Sequence, residues 1–287
     1  MAIEIVIGAN GLVGKAIISV LQSQGKIALG FSRSYRSPYK FDLLNPDFKI
    51  FSDYKVKTAY ITAAVTGMQD CENNPGESHK INVENTKKLI DYLNKNKIYI
   101  VFFSSSQVFD GNIKNPNENS LTNPKNIYGK QKIEIENYLL RKNIPSSIIR
   151  VTKVLGDKPA GLFKEWFSSL EKGSSIYPAG YINLSPVIAG DLANVSIQLA
   201  NERKEGVWNF SSKTELSYFD AVKLLADIKG YEKKLIHKKK IQGVDISNKY
   251  IQKYTFLDTS KLENVLSYEI KSAEQTLEEI FRNDYWN

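Results

Sequence analysis

Three groups of residues in this 287-residue chain have the types and spacing to do chemistry. The first is Gly8-x-x-Gly11-x-x-Gly14, directly behind the apolar run 3–7 (IEIVI). A glycine first permits a sharp turn. The second lets a backbone approach a pyrophosphate, and the third lets a helix pack close to a strand. The amino end of the helix that follows adds a partial positive charge. The second group is Tyr128 and Lys132, four residues apart and so on one helical face. An ammonium beside a phenol is expected to draw the phenol's pKa down towards working pH, which makes an acid–base unit. Tyr138 and Lys142 repeat the spacing, so position decides between the pairs. Tyr128 opens its helix just beyond Pro124, whereas Tyr138 lies between Ile135 and Leu139 and is expected to pack. The third group is Ser104, Ser105 and Ser106, at the end of the run 98–103 (IYIVFF). Ligands of open parallel sheets gather at the carboxyl ends of strands, where a hydroxyl polarises a carbonyl. Three serines serve equally well in a turn or a helix cap.

The elements that must position these residues alternate along the chain. Strands are expected at 3–7, 27–31, 58–62, 98–103 and 146–151, and helices at 12–24, 78–96 and 126–142. In the first helix Leu12, Ala16 and Val20 recur at helical spacing, and Gly25 ends it. In the second, Ile81, Leu89, Ile90 and Leu93 are the apolar members. The uninterrupted run 98–103 marks a strand buried on both faces. The pattern predicts an α/β fold: a Rossmann-type, doubly wound parallel sheet with helices on both faces. After residue 152 the character changes. Helices are expected at 161–172, 189–202, 217–229 and 274–283, around a stretch punctuated by Gly173, Pro178, Gly180 and Pro186. The expected division is a nucleotide-binding domain at 1–152, to which later segments return, and a smaller C-terminal lobe at 153–287.

At the end of the second strand, an acidic residue would hold the ribose 2′-hydroxyl of NAD. Ser32 and Arg33 stand there instead, with Arg36 nearby. A guanidinium suits a 2′-phosphate through forked hydrogen bonds, which favours NADPH over NADH.

Composition narrows the classes further. One cysteine, Cys71, excludes an internal disulfide and a cysteine-rich metal site, and two histidines are too few for a histidine metal centre. No metal is expected. The N-terminal residues lack a basic start followed by a longer apolar stretch, and no run approaches the ~20 apolar residues that span a bilayer. The expectation is a cytoplasmic protein without a membrane partner. The net charge of +8 is spread over the chain, with one local run at Lys238, Lys239 and Lys240. It is read as a solvated lysine-rich surface rather than a nucleic-acid site, and it would attract phosphorylated small molecules.

Taken together, the motifs resemble a family. GANGLVG (8–14), FDLLNPD (41–47), ITAAVTG (61–67), INVENT (81–86), SSSQVFDG (104–111), NPKNIYGKQK (123–132), SPVIAGDLA (185–193) and LDTSKL (257–262) occur in one order. The chain is similar to the extended short-chain dehydrogenases/reductases, and within them to the dTDP-4-dehydrorhamnose reductase-like sugar-nucleotide reductases. The resemblance covers nearly the whole chain. It implies Ser105, Tyr128 and Lys132 as the catalytic set, Ser105 standing three residues before the Val108–Phe109 pair. It implies cofactor contacts from Gly8, Asn10, Gly11, Leu12, Val13, Gly14, Ser32 and Arg33. Asp42 and Leu43 would lie along the adenine, and Ala63 and Ala64 beside the nicotinamide ribose, with Tyr128 and Lys132 completing the set. Asn82 would support the active-site geometry. Val65, Ser106, Gln107, Lys153 and Ser185 would line the substrate.

The resemblance implies an NADPH-dependent ketoreductase acting on a nucleotide-linked deoxysugar, with NAD as the second choice of cofactor and a homodimer as the assembly. Two positions depart from the family pattern. Ser106 and Gln107 stand where an acidic residue and a tyrosine are common, and Lys153 stands where an aromatic residue is common. The identity of the sugar is therefore left open. Two other outcomes share the fold: an epimerase or dehydratase, and a non-catalytic NADP-binding regulatory subunit. A dehydratase needs a carboxylate base where Ser106 stands, and a pure binding module does not need Tyr128.

Overall fold

The apolar run at the N-terminus forms strand β1 (Ile3–Ile7), and everything that positions the glycine turn is built on it. The computed structural model describes residues 2–34, 39–239 and 250–283; Arg36 and Lys240 lie outside them. After β1 come helix α1 (Leu12–Ser23), β2 (Ala28–Ser32), β3 (Tyr39–Lys40) and β4 (Val56–Ile61). Next are α2 (Met68–Asn73), α3 (Pro75–His79), a π-helical turn (Lys80–Asn85) and α4 (Thr86–Lys95). Then come β5 (Tyr99–Ser105), α5 (Ile127–Arg141), β6 (Ser146–Val151), β7 (Lys153–Leu155) and α6 (Gly161–Glu171). They are followed by β8 (Asn183–Leu184), β9 (Pro186–Ile188), α7 (Ala189–Asn201), β10 (Gly206–Phe210) and β11 (Leu216–Ser217). Helices α8 (Tyr218–Lys229), α9 (Ser260–Leu266) and α10 (Ala273–Arg282) complete the order.

Two units divide the chain. The first comprises Met1–Asp110, Leu121–Val151 and Gly190–Asn209; the second comprises Gly111–Ser120, Thr152–Ala189 and Phe210–Asn287.

A seven-stranded sheet runs in the order β10-β6-β5-β4-β1-β2-β3. The pairs from β6 through β5, β4, β1 and β2 to β3 are parallel. The chain builds outwards from β1 to β3, then crosses back to place β4 on the other side of β1. That reversal makes a switch point at the carboxyl ends of β1 and β4, where open α/β sheets hold ligands. Alternation along β1 sends Ile5 and Ile7 to one face, into a cluster with Ile81, Leu89, Ile90, Leu93, Ile135 and Leu139. The opposite face carries Val6 and its neighbour Gly30, and a side chain at Gly30 would run into Ile18 of α1. Helices therefore cover both faces, and every residue of β5 is buried.

The first helix turns a different stripe inwards from the one its spacing suggested. Gly14, Ile17 and Leu21 are buried, while Leu12 is 48% exposed. Gly14 sets this rotation, because its α-carbon lies against the Gly8 carbonyl and Ala9, where no side chain fits. Gly25, with φ of +71°, follows the C-cap Gln24 and ends the helix as expected.

The second unit has its own apolar cluster, in which Phe163, Leu170, Leu184, Val222, Leu225, Leu277 and Phe281 are buried together. No helix among the described residues is long and apolar enough to cross a membrane.

Phe31 is fully buried, with the rings of Phe51 and Tyr39 at 4.9 and 5.3 Å between centroids. Phe31→Ala leaves a cavity beneath the strand that ends at Ser32. It should cost about 3–5 kcal/mol in urea unfolding followed by tryptophan fluorescence.

Candidate active site

The turn at the switch point is held by backbone hydrogen bonds. Gly8 and Ala9 N–H donate to the Phe31 carbonyl at 2.8 and 3.1 Å, and Thr62 and Ala63 N–H donate to the Ile7 carbonyl at 2.9 and 2.8 Å. Gly8 adopts φ of +97°, and a side chain there would strike Ala63 and Thr62. Gly11 is the N-cap of α1, with no side-chain cap and no acidic residue in the first turn. The amino end of this helix thus keeps its N–H donors and partial positive charge. Asn10 donates to the buried Ser32 hydroxyl at 2.9 Å, which ties the turn to the end of β2, and Arg33 is exposed one residue on. This is a cradle whose glycines leave room for a diphosphate, so the residues present fit a dinucleotide. Leu12 and Val13 lie in the first turn of α1, exposed and half-buried. Asp42 is half-buried, and its carboxylate accepts from Leu44 N at 2.9 Å. Leu43 is buried, its carbonyl accepting from Asn85 at 2.7 Å.

Ser105, at the end of β5, and Tyr128, in the first turn of α5, are 23 positions apart in the sequence, and the fold brings the serine hydroxyl close enough to act on the phenol. Lys132 stands one turn further along α5. Its ammonium donates to the Phe103 carbonyl at 2.8 Å and lies 5.6 Å from the centre of the Tyr128 ring. All three side chains are at least nine-tenths buried. Burial pushes the Tyr128 phenol well above its ordinary pKa, against the Ser105 hydrogen bond that lowers it, and Cys71 adds to the rise. The expectation that Lys132 draws this phenol down is thus reversed: the cost of moving a phenolate out of water is the larger effect. Burial also pulls the Lys132 ammonium down to about 8, with Glu136 and then Cys71 acting in the opposite direction. The rival pair separates as expected. Tyr138 is half-buried, and its hydroxyl takes part in a surface cluster with Asp91 at 2.6 Å and Lys142 at 2.6 Å.

Helix α5 is fixed at its start. Asn126 accepts from Gly129 N at 2.8 Å and donates to the Gln107 side chain at 2.9 Å, and Ile127 N donates to Glu72 at 2.9 Å. Gly129 is required because a side chain there would meet the Gln107 carbonyl. Ser106 is buried and Gln107 half-buried at this junction. The π-helical turn carries Asn82 inwards. Its carbonyl accepts from Val65 N at 2.8 Å, and its amide donates to Val65 O at 2.9 Å and to Gln131 at 2.7 Å. Gln131 in turn donates to Ser78 at 2.9 Å. This chain holds the segment Ala63, Ala64 and Val65, all half-buried, against α5. Cys71, which has no role in the sequence reading, is buried beside it and donates to Val65 O at 3.4 Å.

Residues 1–285 match the family model described as the RmlD substrate binding domain. The chain belongs to the RmlD family. It shares 27% identity over 233 residues with a dTDP-4-dehydrorhamnose reductase of Aggregatibacter actinomycetemcomitans, covering 77% of this chain and 76% of the relative. It shares 25% over 240 residues with methionine adenosyltransferase 2 subunit beta of Bos taurus, covering 78% and 71%. A dTDP-4-dehydrorhamnose reductase of Bacillus anthracis str. Ames, solved in complex with NADP, superposes with a TM-score of 0.85 at 19% identity, covering 98% of each chain. At that identity the likeness is one of fold.

Two residues implied as substrate contacts belong to the second unit of this RmlD-type chain. Lys153 is exposed on β7, opposite Pro186 of β9. Ser185 is fully buried, and its hydroxyl is engaged by the Thr214 carbonyl and the Thr255 hydroxyl, each at 3.0 Å. Sequence reasoning missed Gln131, Asn126 and Glu72. Asn126 alone had a local signal, a capping residue three positions before Gly129.

The depressed Lys132 value has a sign. Between about 8 and 10.5 the folded chain binds fewer protons at this group than the unfolded one. The destabilisation is therefore complete below about pH 8 and is relieved as pH rises to 10.5. Urea-unfolding free energies of the native chain, minus those of Lys132→Met, should rise across this window. The slope should approach, without exceeding, about 1.4 kcal/mol per pH unit.

Proposed function

We propose that this chain is a cytoplasmic NADPH-dependent reductase of a keto group on a nucleotide-linked deoxysugar. The observation that carries the reading is the convergence of Ser105, Tyr128 and Lys132 beside a glycine cradle at the sheet's switch point. Gly8, Asn10, Gly11, Leu12, Val13 and Gly14 would hold the cofactor diphosphate, and Asp42 and Leu43 its adenine. Ala63 and Ala64 would border the nicotinamide ribose. Arg33 and Ser32 would receive the 2′-phosphate, the choice that separates NADPH from NADH. When bound, the dihydronicotinamide supplies the hydride.

The residues of the chain supply the proton and the electrostatics. Tyr128 keeps its proton at neutral pH because its phenol is buried, so it is ready to act as an acid. It donates to the ketone oxygen as negative charge develops there, and Ser105 hydrogen-bonds the same oxygen. Lys132 spends one of its three donors on the Phe103 carbonyl, which leaves two for ribose hydroxyls. Its charge then faces the phenolate that Tyr128 becomes. Val65, Ser106, Gln107, Lys153 and Ser185 are the candidates for sugar recognition. The relatedness to a dTDP-4-dehydrorhamnose reductase supports the substrate class.

The similarity to a methionine adenosyltransferase beta subunit favours a second reading, a regulatory NADP-binding subunit. The buried proton donor counts against it, since binding alone does not require Tyr128.

Tyr128→Phe should lower turnover of a 4-keto or 3-keto sugar nucleotide by ~100- to 10,000-fold. NADPH affinity, followed by fluorescence, should be nearly unchanged. Equal turnover in the variant would remove the assignment. Arg33→Ser should raise the KM for NADPH by roughly ten- to a hundredfold, the worth of one hydrogen bond to a charged group, and leave the KM for NADH in place.

A further inference from the structure

A buried ion pair, Glu136 with Arg150, lies outside the mechanism. Glu136 on α5 is fully buried, and a carboxylate out of water must be compensated by specific donors. Its donors are all present. Ser104 Oγ donates to Oε1. Arg150 Nε donates to both carboxylate oxygens at 3.1 Å, and Arg150 Nη2 donates to Oε2 at 2.7 Å. Arg150 on β6 is itself buried, with its guanidinium 5.1 Å from the centre of the Phe109 ring. The positions of these partners are informative. Glu136 lies one turn beyond Lys132 and two beyond Tyr128, on the same face of α5. Ser104 sits between Phe103, whose carbonyl receives Lys132, and Ser105. The carboxylate therefore grips the same strand end that supplies both the catalytic hydroxyl and the acceptor for the ammonium. Stability alone does not account for the pair, because buried ion pairs are often replaced by apolar residues at no loss.

We propose that Glu136 is a positioning residue that keeps Lys132 charged and aligned, while Arg150 and Ser104 hold Glu136 in place. The inference rests on the reading of Lys132 as part of a reductase site. The titratable groups around Lys132 are Tyr128 and Glu136 on its own helix, Cys71 on α2, and Arg150 behind Glu136. Tyr128 and Cys71 are both held towards their neutral forms, principally by burial, whereas Glu136, one turn along the same helix, acts to favour the ammonium.

The test follows the titration of Lys132 directly, through the 13C chemical shift of its Cε, with the signal assigned by its loss in Lys132→Arg. Glu136→Gln keeps an oxygen for Ser104 and removes the charge. It should lower the Lys132 midpoint by about one pH unit or more, because the Arg150 guanidinium then acts unopposed. Glu136→Gln with Arg150→Met should lower it by less. The alkaline limb of kcat/KM should move in the same order, and should vanish from the range below pH 10 when Lys132→Arg is added to any of them. An unchanged midpoint in both variants overturns the proposal, as does a fall of equal size in both. Should neither variant fold, Glu136→Asp, which withdraws the charge by one methylene, must still lower the midpoint, and no change there overturns it too. If the native chain reduces no sugar-nucleotide ketone, the reductase reading fails, while the Lys132 titration still decides this inference.

Discussion

Lys132 carries an ammonium group on a helix face turned away from water, where desolvation works against its charge. Its ammonium donates to the Phe103 carbonyl, and Glu136 one turn along acts against the effect of burial on its pKa. Both arrangements depend on α5 keeping its height and rotation against the end of β5, where Phe103 receives Lys132 and Ser104 donates to Glu136. The surrounding structure reads as a set of restraints on those two quantities. Asn126 caps the helix, Glu72 takes its first N–H, Gly129 lets it approach the Gln107 carbonyl, and Arg150 secures Glu136 from the next strand. A shift of an ångström along the helix axis would strain several of these together.

The same economy governs the other half of the site. A nucleotide cradle needs a tight turn, a close helix and a switch point, and β1 delivers all three from fourteen residues. Its far wall is the loop after β4, and that loop is held by an asparagine rather than by its own secondary structure. Asn82 satisfies Val65 on both its N–H and its C=O, in the manner of a neighbouring strand. The π-helical turn makes this reach available. Within it Asn82 reaches Val65, in the loop after β4, and Asn85 reaches the Leu43 carbonyl.

Much of this was legible from residues alone. Strands 3–7 and 146–151 are found at the positions their composition suggests, and the run 98–103 is buried on both faces. Gly8 and Gly11 stand between strand and helix, and Gly14 in the first turn of the helix, as the motif requires. The failures have physical causes. The stripe Leu12, Ala16 and Val20 satisfies a helical period as well as Gly14, Ile17 and Leu21 does, and only the close approach at Gly14 decides between them. The π-helical turn inside the expected helix 78–96 left no trace, because Ile81, Leu89, Ile90 and Leu93 remain buried despite it. The short strands β3, β8 and β11 have two residues each, too few to show a period. Gln131 acts through Asn82 and Ser78, 49 and 53 positions away, and no local pattern encodes such partners. The pKa of Tyr128 depends on how completely the site is closed to water, which is a property of the packed structure.

The order of strands has a consequence for the ribosome. β6 lies between β5 and β10, yet β10 is made more than fifty residues after β6 ends. Without β10, β6, a strand of Ile148, Ile149 and their buried neighbours, is the edge of the sheet beyond β5. A sheet that forms before β10 is made therefore has its outer rim uncovered. The partner that closes it is a late-arriving part of the same molecule, in competition with any other extended segment nearby.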